Sequence, residues 1–423
     1  MSGLVRTTVT LLFAAWFIDY VDRLAIATVL PVIGKEFSLD LRQQGLVVSV
    51  FFVAYAAFQI PGGMLADRFG AKRVTCWALL AWSLCTALTG LAWSFAALLL
   101  VRLVFGAAEG VFPAAATKAL VERTAVAERM GAQGTIMSSN ALAAVAAPLA
   151  VPPLAAAFGW RWAFFAAAGL GVLVHFAVRA RLPAVQAAVR VRLPAPRAHG
   201  LESAAGDAVR VRDVLRMGVL WRFSLMLFGY ATVVWGLSTW IPSYLTSERG
   251  LSLTSAGVLV ALPSLGTAVA TWLGGRLSDR MEGHHRRVIV PAMTVAAVAL
   301  CLMALSPSLA GAIACGTVAV FAASLCYMPI FAVPLRGLPP ELVGVGSSVV
   351  VIGGQFAGMA APPLLGAIAE AASFEVAFAV LALGPVLTIV MALLTPQDTH
   401  GFTAALRRTT PPALSVRIAK EPS

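Results

Sequence analysis

The stretch GGMLADRFGAKRV, Gly62 to Val74, comes back in the second half of the chain as GGRLSDRMEGHHRRV, Gly274 to Val288. Each copy opens on a glycine pair and places an Asp, Asp67 or Asp279, ahead of an Arg, Arg68 or Arg280. A charged motif of the form G-G-x-L-[AS]-D-R, set twice between long apolar runs, reads as an internal duplication rather than two unrelated turns. The glycines, Gly62 and Gly63 in one copy and Gly274 and Gly275 in the other, let two helices approach closely. The Asp stands where it would cap a neighbouring helix N-terminus and pair with a loop arginine.

The surroundings of the motif set its context. Of 423 residues, 60% are hydrophobic and 12% charged. Apolar runs of about 20 residues are long enough to cross a bilayer as helices. Twelve are expected, near 10–31, 46–65, 74–93, 96–118, 132–157, 161–178, 222–245, 254–275, 288–306, 309–331, 343–369 and 374–394. The fold class is therefore an all-α integral membrane protein, with twelve transmembrane helices in two pseudo-symmetric six-helix bundles. The division is 1–178 for the first bundle, 179–221 for a basic linker, 222–394 for the second bundle and 395–423 for a tail. No cleavable signal pattern precedes the first run, so it is expected to stay as a helix. Cys76, Cys85, Cys301, Cys315 and Cys326 lack metal-like spacing and read as small core residues.

Lys and Arg collect in loops that stay cytoplasmic. Arg179 to Arg222 holds nine arginines against Glu202, Asp207 and Asp213. That loop, both termini and the two motif loops are placed on the cytoplasmic side of a plasma (inner) membrane. The net charge of +12 is accounted for by this topology, and nucleic acid is excluded as a partner.

Against the apolar background, FIDYVDRLAIA (Phe17 to Ala27) is anomalous, because Asp19, Asp22 and Arg23 lie within the first run. A charge at the bilayer centre costs about 2.5–3.5 kcal/mol on insertion scales, so it normally faces a wet cavity or a partner. Adjacent helical residues point about 100° apart, so Asp22 and Arg23 are expected to find different partners, with Asp19 one turn away from Arg23. The fourth run supplies candidate partners for them: RLVFGAAEG sets Arg102 and Glu109 nearly two turns apart on one face, while Gly106 and Gly110 offer a small-xxx-small contact. Whether a carboxylate at such depth holds a proton depends on what occupies the cavity.

No charged residue falls in the interior of runs seven to twelve. The second half is therefore expected to supply neutral contacts, and an organophosphate, better held by an arginine from each half, is disfavoured. Tyr55 and Gln59, Gln355 and Asn140 are the candidate neutral contacts, with Ser138, Ser139, Tyr230 and Tyr327 behind them. His175 is expected to be structural, and Lys118 to snorkel to the membrane surface.

The loop pair resembles the signature of the major facilitator superfamily. More narrowly, DYVDRLAIATVLP, FFVAYAAFQIPGGMLADRFG, RLVFGAAEGVFPAA, FGWRWAFF and STWIPSYL resemble the anion:cation symporter family. That resemblance implies a proton-coupled symporter of a small organic anion, such as a sugar acid, working by alternating access. It implies Arg23 as the residue binding the substrate carboxylate, Asp22 and Glu109 as proton-coupling acids, Arg102 as the base linked to Glu109, and Tyr55 as a substrate-facing position. Gly63, Asp67, Arg68, Gly70, Gly275, Asp279 and Arg280 fall on its conformational motif. Gln355 stands where relatives commonly carry Asn, which departs from the usual sugar-acid geometry. The expected partners are the anion and the lipid bilayer around a monomer, with the proton as coupling ion and no cofactor, metal or enzymatic activity. Drug efflux, indifferent to Arg23, and a non-transporting sensor are the alternatives.

Overall fold

A computed structural model describes residues 3–182, 214–281, 284–338 and 340–409. Every regular element among them is helical. The first six are α1 (Gly3–Glu36), α2 (Leu41–Phe69), α3 (Ala71–Gly90), α4 (Phe95–Val121), α5 (Val126–Phe158) and α6 (Trp160–Arg181). After the linker come α7 (Gly218–Ser243), α8 (Leu253–Arg280), α9 (Arg286–Leu305), α10 (Leu309–Leu325), α11 (Tyr327–Gly337) and α12 (Pro340–Ala371). The last are α13 (Phe374–Leu381), α14 (Leu383–Leu394) and α15 (Thr399–Thr409). Eleven segments are long and apolar enough to cross a membrane, with α10–α11 and α13–α14 each forming one pass. Helix α3, 20 residues long, lies between two of these passes. The expected runs are thus found, most of them longer than the apolar stretch alone. Most of the linker, with five of the nine arginines between Arg179 and Arg222, lies outside the described residues, as do Arg417 and Lys420 of the tail.

Local chemistry sets the helix ends. At α2 the Asp40 carboxylate accepts from the Gln43 amide at 2.6 Å, and the Gln43 side chain accepts from the Asp40 amide at 3.1 Å. This reciprocal box satisfies two of the donors that a helix start leaves open. The other end of α2 is Gly70, whose φ of 88° lies where a Cβ is disfavoured. It lets α2 turn directly into α3.

The chain forms two compact units. Among the described residues, the first contains 3–182 together with Ser238–Leu265 and Met359–Phe374 from beyond the linker. Within it α2 packs on α4, α1 on α5, and α3 on both α4 and α6. The α2–α4 contact is made at the backbone: a Cβ on Gly106 would collide with the Phe51 carbonyl, and one on Gly110 would lie 2.5 Å from the Tyr55 carbonyl. At the end of this unit away from Asp67, the two later segments seal against the earlier helices. Gly45 lies against the backbone of Pro362 and Pro363, Gly257 against Pro148, and Ser49 donates to the Met359 carbonyl. Glu370 accepts from the Leu41 amide at 3.0 Å, and the Trp240 indole donates to the Pro362 carbonyl at 3.0 Å. Beside this seam, Glu36 accepts from Trp160 at 2.6 Å and from both terminal nitrogens of Arg161 at 2.9 and 2.6 Å.

The second unit contains the rest of the described chain. Helix α9 packs on α10 and α14, and Gly229 meets Gly384 backbone to backbone. Arg286 donates to the carbonyls of Ala392 and Thr395 at 3.0 and 2.6 Å, and Arg222 to that of Leu394 at 2.6 Å, which caps the end of α14. Beyond it, α15 buries Phe402 and Leu406, with Phe402 against Phe223.

Cys76, Cys85 and Cys326 are buried, as expected, but Cys301 is exposed and Cys315 half-buried. Position in an apolar helix does not say which face meets lipid, so Cys301 is corrected from core to surface.

Candidate functional site

In the first unit, α1 brings its three charges toward α3 and α4. Arg23 donates through Nε and a terminal nitrogen to Glu109 Oε2 at 3.3 and 2.9 Å, and through that terminal nitrogen to Asp19 at 3.2 Å. Asp22 turns the other way and accepts from the Thr86 hydroxyl of α3 at 3.1 Å. The 100° step between neighbours therefore separates their partners, as the helical period requires. Asp19, Asp22 and Glu109 are sealed from solvent, while the Arg23 side chain keeps 9% exposure.

Aromatic rings enclose the guanidinium. Arg23 lies over Tyr55 at 4.6 Å, Phe51 at 5.0 Å and Tyr20 at 5.6 Å from the ring centroids. Such faces attract a cation by about 0.5–2 kcal/mol each and exclude water. The glycine contacts of α4 make this possible, because only a close α2–α4 approach carries Phe51 and Tyr55 alongside Glu109.

Arg102 belongs to the same buried group. It shares the buried face of α4 with Glu109, but it makes no ion pair with it among the described residues. Its guanidinium lies over Phe105 at 4.5 Å and Phe51 at 5.3 Å, and its Nε has no hydrogen-bond partner. Glu109 is taken by Arg23 instead.

The cluster thus contains three carboxylates and two guanidiniums, and one oxygen of each acid (Asp19 Oδ1, Asp22 Oδ1 and Glu109 Oε1) has no partner. A buried charge is costly unless paired and hydrogen-bonded.

The neutral candidates are less gathered. Tyr55 is in the cluster; Gln59, half-buried on α2, and Asn140, on α5 with its Oδ1 unpartnered, have no hydrogen bond to it. Ser138 and Ser139 bond carbonyls of their own helix. Gln355 belongs to the second unit, where its Oε1 has no partner, and there Tyr230 and Tyr327 lie with ring centroids 5.5 Å apart. His175 is structural, with Nδ1 2.9 Å from the Cys76 carbonyl. Thr86, Tyr20 and Phe51 were not singled out by the sequence; a threonine and two aromatics in apolar helices carry no signal of their own.

At the motif loops, Asp67 pairs with Lys118 of α4, and Asp279 with Arg336 of α11 at 2.7 Å. Lys118 also donates to the Ala66 carbonyl at 3.1 Å. Two expectations are corrected here: Lys118 is an ion-pair partner rather than a free snorkelling chain, and each Asp takes its cation from a helix end rather than from a loop arginine. Arg68 instead lies over Phe69 at 5.2 Å, and Arg280 is exposed. Gly63 faces Ala114 and Gly275 faces Met328, both at ordinary contact distance.

Comparison with known proteins gives a consistent picture. The family model described as Major Facilitator Superfamily matches residues 12–362 and 245–422. A probable sulfoacetate transporter of Cupriavidus necator is 33% identical over 373 residues, covering 84% of this chain and 85% of its own. The hexuronate transporter of Bacillus subtilis is 29% identical over 320 residues, covering 73% and 75%. Among solved structures, a bacterial homologue of the human lysosomal transporter Spinster, inward-facing and occupied, aligns over 100% of both chains with a TM-score of 0.77 at 20% identity. That likeness concerns the fold.

Proposed function

Because the chain belongs to the major facilitator superfamily, we propose that it is a secondary active transporter, a carrier and not an enzyme, which moves a small organic anion across the plasma membrane in symport with protons. The observation that carries this reading is the buried Arg23, held by Glu109 and Asp19 inside an aromatic enclosure. The names of the relatives support the substrate class, since sulfoacetate and hexuronates are small organic anions.

The chemistry follows from the pairing. Arginine offers a carboxylate or sulfonate two parallel hydrogen bonds and does not deprotonate. An arriving anion competes with Glu109 and Asp19 for that fork. Each acid displaced from Arg23 would stand uncompensated in a dry site, and a proton neutralises it. Three carboxylates against two guanidiniums leave one negative charge, so the empty cluster is neutral with one shared proton and the loaded cluster needs at least one more. Loading and protonation are thereby linked. Asp22, Glu109 and Arg102 serve the coupling in this scheme; Tyr55, Gln59, Asn140 and Gln355 are the neutral contacts proposed for the anion.

The working parts are the bundles 1–178 and 222–394, with linker, tail and motif loops in the cytoplasm, acting as a monomer. Passage from the far side requires the seam around Gly45, Gly257 and Glu370 to open. The Asp67–Lys118 and Asp279–Arg336 pairs, with the glycines of their motifs, govern the cytoplasmic end.

The test is internal pH in proteoliposomes with a trapped dye, while hexuronates, aldonates, aldarates, aromatic acids and sulfoacetate are added singly. Acidification with one acid, absent in Arg23→Ala, is expected. Silence across the panel from folded protein, or equal acidification by Arg23→Ala, overturns the reading.

A further inference from the structure

The second unit has a groove of about 600 Å³ walled by three consecutive helices: Leu277 of α8 and Met281 just beyond it, Pro291 and Val295 of α9, and Phe321 and Leu325 of α10. The lining is apolar, and Val295 and Val318 stand half-exposed on it, so it opens on the surface that meets lipid rather than inward. A single charged residue, Arg287, lines it. Arg287 is exposed, is the second residue of α9, and its guanidinium has neither a hydrogen bond nor an ion pair among the described residues.

The neighbouring cations are occupied differently. Arg286 is spent on the carbonyls of Ala392 and Thr395, and Arg336 is neutralised by Asp279. Arg276 is stacked on Trp272 at 3.8 Å. Arg287 is left as an open positive charge at the mouth of an oily channel, at the end of a membrane-crossing helix where lipid headgroups lie.

We propose that this groove is a binding site for an anionic phospholipid, with its phosphate on Arg287 and one acyl chain lying between α9 and α10. The chemistry is two-part: the channel takes the chain by burying methylenes, and the unpaired guanidinium selects the charge of the headgroup. A zwitterionic lipid fills the channel equally well but brings its own ammonium beside the arginine. The site is separate from the Arg23 cluster, and its occupancy is read without any transport measurement.

The experiment is native mass spectrometry of the purified full chain after delipidation, titrated with phosphatidylglycerol and phosphatidylcholine of identical acyl chains. Wild type is expected to retain phosphatidylglycerol about tenfold more tightly, a ratio equal to about 1.4 kcal/mol. Arg287→Gln, an exposed position that does not threaten the fold, is expected to bring the two lipids level. Val295→Trp, which fills the channel, is expected to lose both, whereas Leu302→Trp, elsewhere on the exposed face of α9, leaves binding as in wild type. Equal retention of the two lipids by wild type overturns the proposal, as does an unchanged preference in Arg287→Gln. Displacement of phosphatidylglycerol by inorganic phosphate alone also overturns it, since the site would then be an anion site with no use for the groove.

Discussion

The interiors of the two halves differ more than their scaffolds do. Both halves carry the G-G-x-L-[AS]-D-R loop, both pair its Asp with a cation at the end of a later helix, and both pack helices through glycines at backbone distance. Yet α1 and α4 bury Asp19, Asp22, Arg23, Arg102 and Glu109, while the membrane passes of α7 to α14 have no charge in their interiors. A duplicated frame can thus be kept for motion while the chemistry is concentrated on one side. Buried charges must be mutually satisfied, and that is simplest within a set of helices that already touch.

The contrast can be broken most directly at Arg23. Arg23→Ala is expected to lower anion affinity by at least about a hundredfold, since truncating one partner of a buried charge pair costs about 3–5 kcal/mol. Binding measured by calorimetry or thermal shift checks it, and an affinity within threefold of wild type would refute the assignment. Glu109→Gln should retain anion exchange and lose accumulation driven by a proton gradient, so undiminished uphill uptake would remove Glu109 from the coupling. Gly110→Val tests the frame that positions both. Its side chain meets the Tyr55 carbonyl, which cannot swing aside, and a loss of about 1–3 kcal/mol in stability is expected from overpacking, visible in thermal unfolding. On the neutral side, Gln355→Ala should shift apparent affinity less than about tenfold, the scale of one lost uncharged hydrogen bond, and leave coupling intact. A change in the proton-to-anion ratio would extend the coupling chemistry into the second half.

Among the described residues of the second half, His285 is a buried titratable group of a different kind. His285, at the start of α9, is buried against Phe223, and burial pushes it down to about 4, with Arg286 and His284 adding to the shift. Its neutral form is the one the fold accepts. The stability it contributes is fully present above its ordinary value near 6.5 and is lost as pH falls through about 4, by at most roughly 3 kcal/mol. His285→Phe should flatten thermal stability between pH 6.5 and 4; an unchanged profile would show that His285 does not carry it. The smallest effect is expected at Asp67→Asn. Its carboxylate is largely exposed, so unfolding should move by no more than about 1 kcal/mol.

How much of this was legible in the sequence depends on the type of signal. Helices announce themselves because a bilayer demands about 20 apolar residues, whereas their ends, such as those set at Asp40 and Gly70, were not read from the sequence. The charges at Asp22, Arg23 and Glu109 were legible because they are improbable where they stand. Partner choice was legible only in part: the fourth run offered Arg102 and Glu109 to the charges of the first, but not which would take which. Spacing tells which residues share a face of one helix, and it put Arg102 with Glu109; it does not tell how a neighbouring helix is rotated, which is what brought Arg23 to Glu109. Lys118 and Arg336 carried a readable hint, since the fourth pass of each half ends on a cation near the motif Asp. Thr86 carried none, being one of many threonines that also bond their own helix.

The seam in the first unit has a consequence for the cost of motion. Besides the hydrogen bonds of Ser49, Glu370 and Trp240, its backbone approaches are made by Gly45, Gly257, Gly366, Pro148, Pro362 and Pro363, residues whose side chains have almost no rotamers to lose. Closing a surface of leucines or lysines freezes side-chain freedom at each turn of a cycle, up to about 2 kcal/mol for each long chain. A glycine and proline surface has almost none to freeze. In the cycle proposed above, the joint would be made and unmade with little entropic toll, leaving the free energy of the bound anion to decide which way it stands.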